Sequence, residues 1–106
     1  MRPVSYQLVL QFPESAFSDF DDLVQYEDSL IEALGEHHDV DGHDIGSGWV
    51  NFFVVTGDPR VALMSIRGSQ GNLLSHPDLR AAARPTGGDV YEVLLPEGDH
   101  RPFTVL

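Results

Sequence analysis

DVDGHDIGSGWVNFFVVT, residues 39–56, reads as a β-hairpin. Its second half, Trp49–Thr56, is the most strand-like run of the chain, because aromatic and β-branched side chains fill most of its places. In a strand, Trp49, Asn51 and Phe53 face one way and Val50, Phe52 and Val54 the other. The first half, His38–Ile45, has weaker strand propensity and carries three acids and two histidines. Gly46-Ser47-Gly48 supplies the turn, since glycine reaches the positive φ that tight hairpins need.

On the N-terminal side, Val4, Tyr6, Leu8, Leu10 and Phe12 alternate with Ser5, Gln7, Val9 and Gln11, a half-buried strand that Pro13 ends. A helix is expected from about Ser18 to Leu34. Ser18 is placed to cap it, and Asp19, Asp21 and Asp22 suit the positive end of its dipole. Phe20, Leu23, Val24, Leu30, Ile31 and Leu34 form one apolar stripe, and Gly35 can end the helix in the left-handed conformation. On the C-terminal side, Asp58-Pro59 opens a second helix, with Val61, Ala62, Leu63 and Ile66 as its apolar side. His76-Pro77 predicts a short helix through Ala83, stopped by Arg84-Pro85. Val90–Leu95 is the last strong strand, and Phe103–Leu106 can add a short edge strand.

The order β-α-β-β-α-β predicts an α+β domain spanning residues 1–106 on the split βαβ, or ferredoxin-like, plan. That plan has a four-stranded antiparallel sheet in the order 4-1-3-2, with two helices on one face. The other face is then open. Gln7, Trp49, Asn51, Phe53 and Glu92 are its candidate binding residues, in company with Ser5, Val9, Gln11, Val90 and Leu94. An open face so rich in large apolar groups suits a binding platform or a sheet-on-sheet homodimer, unless the C-terminal segment with Phe103 and Leu106 folds over it.

Charge is the sharpest compositional feature. The 106 residues hold 17 acids, six arginines and no lysine, a formal net charge of -11. Eleven of the acids fall between Glu14 and Asp44, with no arginine or lysine among them, whereas the stretch from Asp58 onward has six acids against five arginines. Asp19, Asp21, Asp22, Asp28, Asp39, Asp41 and Asp44 are the candidate acidic surface. Such a surface repels nucleic acid, whose affinity for proteins comes from phosphate neutralisation. It attracts and steers a basic protein. No apolar run is long enough to span a membrane, and MRPVSYQLVLQF alternates like a strand rather than a signal peptide. The absence of cysteine excludes disulfides, thiolate metal sites and a cysteine nucleophile, and suits a cytoplasmic protein.

Glu27 lies in the middle of the apolar stripe of the first helix. A carboxylate there needs donors, and the expected role is a buried structural carboxylate bonded in or near the 46–48 turn. Asp39, Asp41, His43 and Asp44 do not match an EF-hand, whose loop needs glycine at about its sixth place and glutamate at about its twelfth. His37, His38 and His43 do not form a zinc pattern either, so no metal and no cofactor is expected. Ser47 between two glycines is not a nucleophile elbow, and glycines 42, 46 and 48 do not make a dinucleotide fingerprint. No catalytic constellation is visible.

The run DGHDIGSGWVNFFV, with YEVLLP near the end, resembles a group of small bacterial proteins of unassigned function with a ferredoxin-like fold. It also resembles acidic immunity proteins, which neutralise a toxin by covering it. The resemblance implies the fold and carries no catalytic residues. Two functions are therefore expected in order: a non-enzymatic acidic protein that binds a basic protein partner, immunity-type inhibition being one version, and a small-molecule-binding or enzymatic domain that uses the open sheet face.

Overall fold

A computed structural model describes residues 5–69 and 73–105. Val4 and Leu106, used in the sequence reading, lie outside the described residues. The hairpin is there. Ser47 and Gly48 take φ of 54° and 84°, and Gly46 pairs with Trp49 across them. Positive φ at both central residues is what a two-residue turn needs to match the twist of its strands. The turn is pinned from outside, because the Glu14 N–H donates to Gly48 O at 2.8 Å.

The chain runs β1 (Tyr6–Pro13), α1 (Phe20–Leu34), β2 (Asp39–Gly46), β3 (Trp49–Thr56), α2 (Pro59–Arg67), β4 (Arg80–Pro85) and β5 (Glu92–Leu95). All pairings are antiparallel, in the order β2-β3-β1-β4-β5. The sheet thus has five strands, where four were expected. The additional strand is Arg80–Pro85, where the sequence predicts a short helix running through Ala83 and stopped by Arg84-Pro85. Its Ala81-Ala82-Ala83 run favours helix locally, but tertiary fit overrides so weak a preference. Ala81 and Ala83 are buried in the core, and Ala82 is buried on the other face beside Val9. β4 takes the place beside β1 that had been given to residues 90–95, and those move to the edge. Among the described residues, the C-terminal segment adds no further strand.

Both helices cover the face that carries Leu8, Leu10, Phe12, Val50, Phe52 and Val54, using Leu23, Leu30 and Leu34 of α1 and Ala62, Leu63 and Ile66 of α2. Their starts follow local chemistry. Asp19, not Ser18, caps α1: its Oδ1 accepts from the Asp22 N–H at 2.8 Å, while Asp22 Oδ2 accepts from the Ser18 N–H at 3.0 Å. Asp58 caps α2 ahead of Pro59, accepting from the Arg60 and Val61 N–H groups at 3.1 and 3.2 Å. Gly35, at φ 63°, ends α1.

Phe12, Phe17, Tyr26 and Phe52 form an aromatic cluster with ring centroids 5.0–6.1 Å apart. Such pairs add about 0.5–1.5 kcal/mol each beyond burial. The Tyr26 hydroxyl donates to Leu73 O at 2.7 Å, and burial pushes its pKa well above the ordinary tyrosine value. Among the described residues, no helix is long and apolar enough to cross a membrane.

Candidate functional site

The strand order decides where charge goes. Among the described residues β2 pairs only with β3, so it is an edge of the sheet, and α1 packs against it. These two elements, with the turns around them, hold the eleven acids of Glu14–Asp44. Nine are exposed: Glu14, Asp19, Asp21, Asp28, Glu32, Glu36, Asp39, Asp41 and Asp44. Asp22 is half-buried in the α1 cap, and Glu27 faces β2. The arginines from Arg60 onward sit on α2, on β4 and in the C-terminal segment. Sequence order has thus become spatial separation, with acids gathered at the β2 edge.

Glu27 does not bond to the 46–48 turn. Its Oε2 lies 2.9 Å from Nδ1 of His43, with the two side chains 18% and 23% exposed. A β-bulge makes this pair. The register of β2 on β3 shifts between Val40 and His43, where Gly42 takes φ 106°. Without the extra residue, Val40 and His43 would point to opposite faces. With it, Val40 pairs with Val54 and His43 with Phe52, both on the helix side. Asp44, opposite Asn51, faces the other side.

Three exposed apolar side chains stand on α1 and β2: Phe20 in the first turn of α1, 59% exposed, Ile31 further along α1, which was expected in the buried stripe, and Ile45 of β2, 42% exposed. Phe20 was expected in that stripe too. As the first residue of α1 it reaches the His43 ring, centroids 6.0 Å apart, rather than the core. Between Phe20 and Ile45 lies a cleft of about 260 Å³, lined also by Glu14, Phe17, Asp19 and Leu23.

The face away from the helices is not open. Asn51 is fully buried and Gln11 nearly so; Gln11 Nε2 donates to Asn51 Oδ1 and to the Thr104 carbonyl, both at 2.9 Å. Arg80 clamps the same segment. Its Nε donates to Asp99 Oδ2 at 3.1 Å, its Nη1 to Pro102 O at 3.0 Å and its Nη2 to Arg101 O at 2.9 Å. The Arg80 guanidinium also lies 5.3 Å from the centre of the Phe103 ring. The Arg101 side chain and backbone N–H, then Arg80, hold the Asp99 carboxyl well below the usual carboxylate range. Tyr91 completes the cover, donating from its hydroxyl to Gln7 Oε1 at 3.0 Å and touching the Phe103 ring at 5.2 Å. Residues 99–104 therefore form a strap over the face that carries Gln7, Trp49, Asn51 and Phe53; Trp49 and Phe53 remain half-buried.

Glu92 is not on that face. It pairs with Ala83, so it turns to the helix side, where an exposed contact joins it to Arg60 at 3.4 Å. Leu94 is buried in the core, and it is Tyr91 that turns to the strapped face. His38 shares a hydrogen bond with Thr56 Oγ1 at 2.7 Å; burial first, then His37, lowers its pKa, and Asp58 opposes them. Among the described residues, no three histidine, aspartate or glutamate side chains gather to hold a metal ion. Comparison with known families, curated proteins and solved structures finds no match.

Sequence reasoning missed Arg80, His43 as the partner of Glu27, and the exposed pair Phe20 and Ile45. One signal was available for His43. Gly42 inside a strand pattern marks a bulge, and a bulge changes the facing of every later residue.

Proposed function

We propose that this chain is a non-enzymatic acidic interaction protein whose α1–β2 edge binds a basic protein surface. Immunity-type inhibition of a basic toxin is the specific version of this reading. The finer fold reading is a ferredoxin-like domain with one added edge strand, in keeping with the small bacterial proteins that the hairpin and YEVLLP resemble. In this reading the protein acts in the cytoplasm, which suits a chain without cysteine.

One observation carries the proposal: nine exposed acids on an adjoining helix, edge strand and turns, with no arginine or lysine between Glu14 and Asp44. Like charges so close repel each other, and a basic partner relieves that repulsion while the field speeds its approach. The same acids also discourage edge-to-edge aggregation at β2. That second role needs charge on the strand alone, whereas here the charge continues along α1. The alternative, a small-molecule or enzymatic site on the face with Asn51, is opposed by the strap bonded across it.

The test is capture from the native cell lysate on immobilised protein, beside a variant with Asp21, Asp28, Asp41 and Asp44 all changed to asparagine. All four are exposed, so the variant keeps its fold. A basic partner that salt releases and the variant fails to hold supports the reading. A partner retained equally by the variant, or one that is itself acidic, refutes it.

A further inference from the structure

The acidic edge contains a feature that charge alone does not need. Phe20 and Ile45, 59% and 42% exposed, flank a cleft of about 260 Å³ whose floor includes Phe17 and Leu23 and whose rim carries Glu14 and Asp19. We propose that this cleft is an anchor site for a basic segment of a protein partner: it takes one apolar side chain of that segment, while flanking arginines or lysines meet Glu14 and Asp19. The inference rests on the reading of the acidic edge as a binding surface and names what that surface recognises.

Size favours a side chain over a free ligand. Small-molecule pockets run to about 300–1,000 Å³, and this cleft falls just below that range. The walls are fixed in advance. The His43 ring supports Phe20, and Glu27 holds His43 at 2.9 Å. The Glu14 N–H ties the entrance turn to the β2–β3 hairpin through Gly48 O at 2.8 Å. Asp19 is held in the helix cap. A preformed site loses less entropy on binding. Its arrangement, an apolar centre inside a charged rim, is that of an interface hot spot.

Charge selects the occupant. The N-terminus of α1 would draw an anion, but Asp19, Asp21 and Asp22 answer its dipole there. Glu14, also on the rim, lies in the same stretch without arginine or lysine. An anionic or phosphate-bearing segment is repelled, and a plain apolar one gains nothing from the rim. A segment with cations on both sides of an apolar residue satisfies both.

The experiment uses two synthetic probes, an arginine heptapeptide with leucine at its centre and the same peptide with serine there. Each is titrated by calorimetry at low salt into the full chain and into a Phe20→Ser, Ile45→Ser double variant. Partial burial of the leucine should make the wild-type protein bind the leucine peptide about tenfold more tightly than the serine peptide. The double variant should lose that preference and keep its affinity for the serine peptide. A Met64→Ser variant, which removes an exposed apolar side chain on α2 away from the acidic edge, should keep the preference. Equal affinity of the wild-type protein for the two peptides overturns the anchor site and leaves the acidic edge standing. A preference that survives in the double variant also overturns it. Binding of neither peptide overturns both readings.

Discussion

Replacing Arg80 with methionine should release the C-terminal strap while the domain stays folded. Arg80 is 14% exposed and holds the strap at three places, through Asp99, Arg101 O and Pro102 O, with the Phe103 ring against its guanidinium. Methionine keeps the aliphatic stem and removes the charged donors. The two carbonyl bonds are worth about 1 kcal/mol each. The cation–π contact adds about 0.5–1 kcal/mol. Asp99 is not left alone, since Arg101 still donates to it at 2.7 and 2.9 Å. The loss is then roughly 2–3 kcal/mol, which lowers the ratio of docked to free strap roughly thirty- to a hundredfold. Trp49, the only tryptophan, lies beside Arg80, Pro96 and Arg101 at one small cleft, so it reports on the strap. Acrylamide should quench its fluorescence more strongly in the variant, and the Phe103 ring protons should lose the shifts that Tyr91 imposes at 5.2 Å. Far-ultraviolet circular dichroism should stay unchanged. Wild-type quenching together with wild-type Phe103 shifts would refute the assignment of Arg80 as the clamp.

Three further outcomes are expected. Glu27→Ala should lower stability by about 1–2 kcal/mol in urea unfolding, since it removes a partly buried charged hydrogen bond. His43→Ala should cost less when Glu27 is already alanine, and strict additivity of the two changes would contradict the pairing. His38 has a lowered pKa in the folded state, so the unfolded chain binds its proton first as pH falls. Its stabilising contribution is whole above the ordinary value of 6.5 and is lost as pH falls through the window below. His38→Gln should flatten the stability profile there, and an unchanged slope would count against the burial of His38 as the cause of its lowered pKa. Deleting residues 99–106 should expose Trp49 and Phe53 and cause association measurable by light scattering, because a large apolar patch on an open sheet face seldom stays unpaired. A truncated protein that stays monomeric would mean that the strap covers nothing that matters for solubility.

What the sequence reveals here is what local chemistry controls. Gly48 in the hairpin turn, Asp58-Pro59 at the start of α2 and Gly35 at the end of α1 each act within a few residues, and each is found as expected. The alternation of Trp49–Thr56 likewise survives intact, with Val50, Phe52 and Val54 toward the helices. The second half was less legible, for one physical reason. Arg80–Pro85 has no strand signature of its own and becomes a strand because alanines fit beside β1. That shifts Glu92 into register with Ala83, turning it to the helix side, and leaves the strapped face to Tyr91, Arg80 and Arg84. The acids were legible as composition. Their gathering at an edge follows from the strand order, and the pairing of Glu27 with His43 follows from one bulge.

The most direct test of the acidic edge is a nitrogen–proton correlation spectrum of the labelled protein, titrated with an arginine heptapeptide at low and at high salt. The account predicts shift changes confined to residues 14–46, greatest around Phe20, Asp21, Asp44 and Ile45, and fading as salt screens the charges. Shift changes centred on β4, β5 or the strap, or changes spread evenly over the molecule, would contradict it.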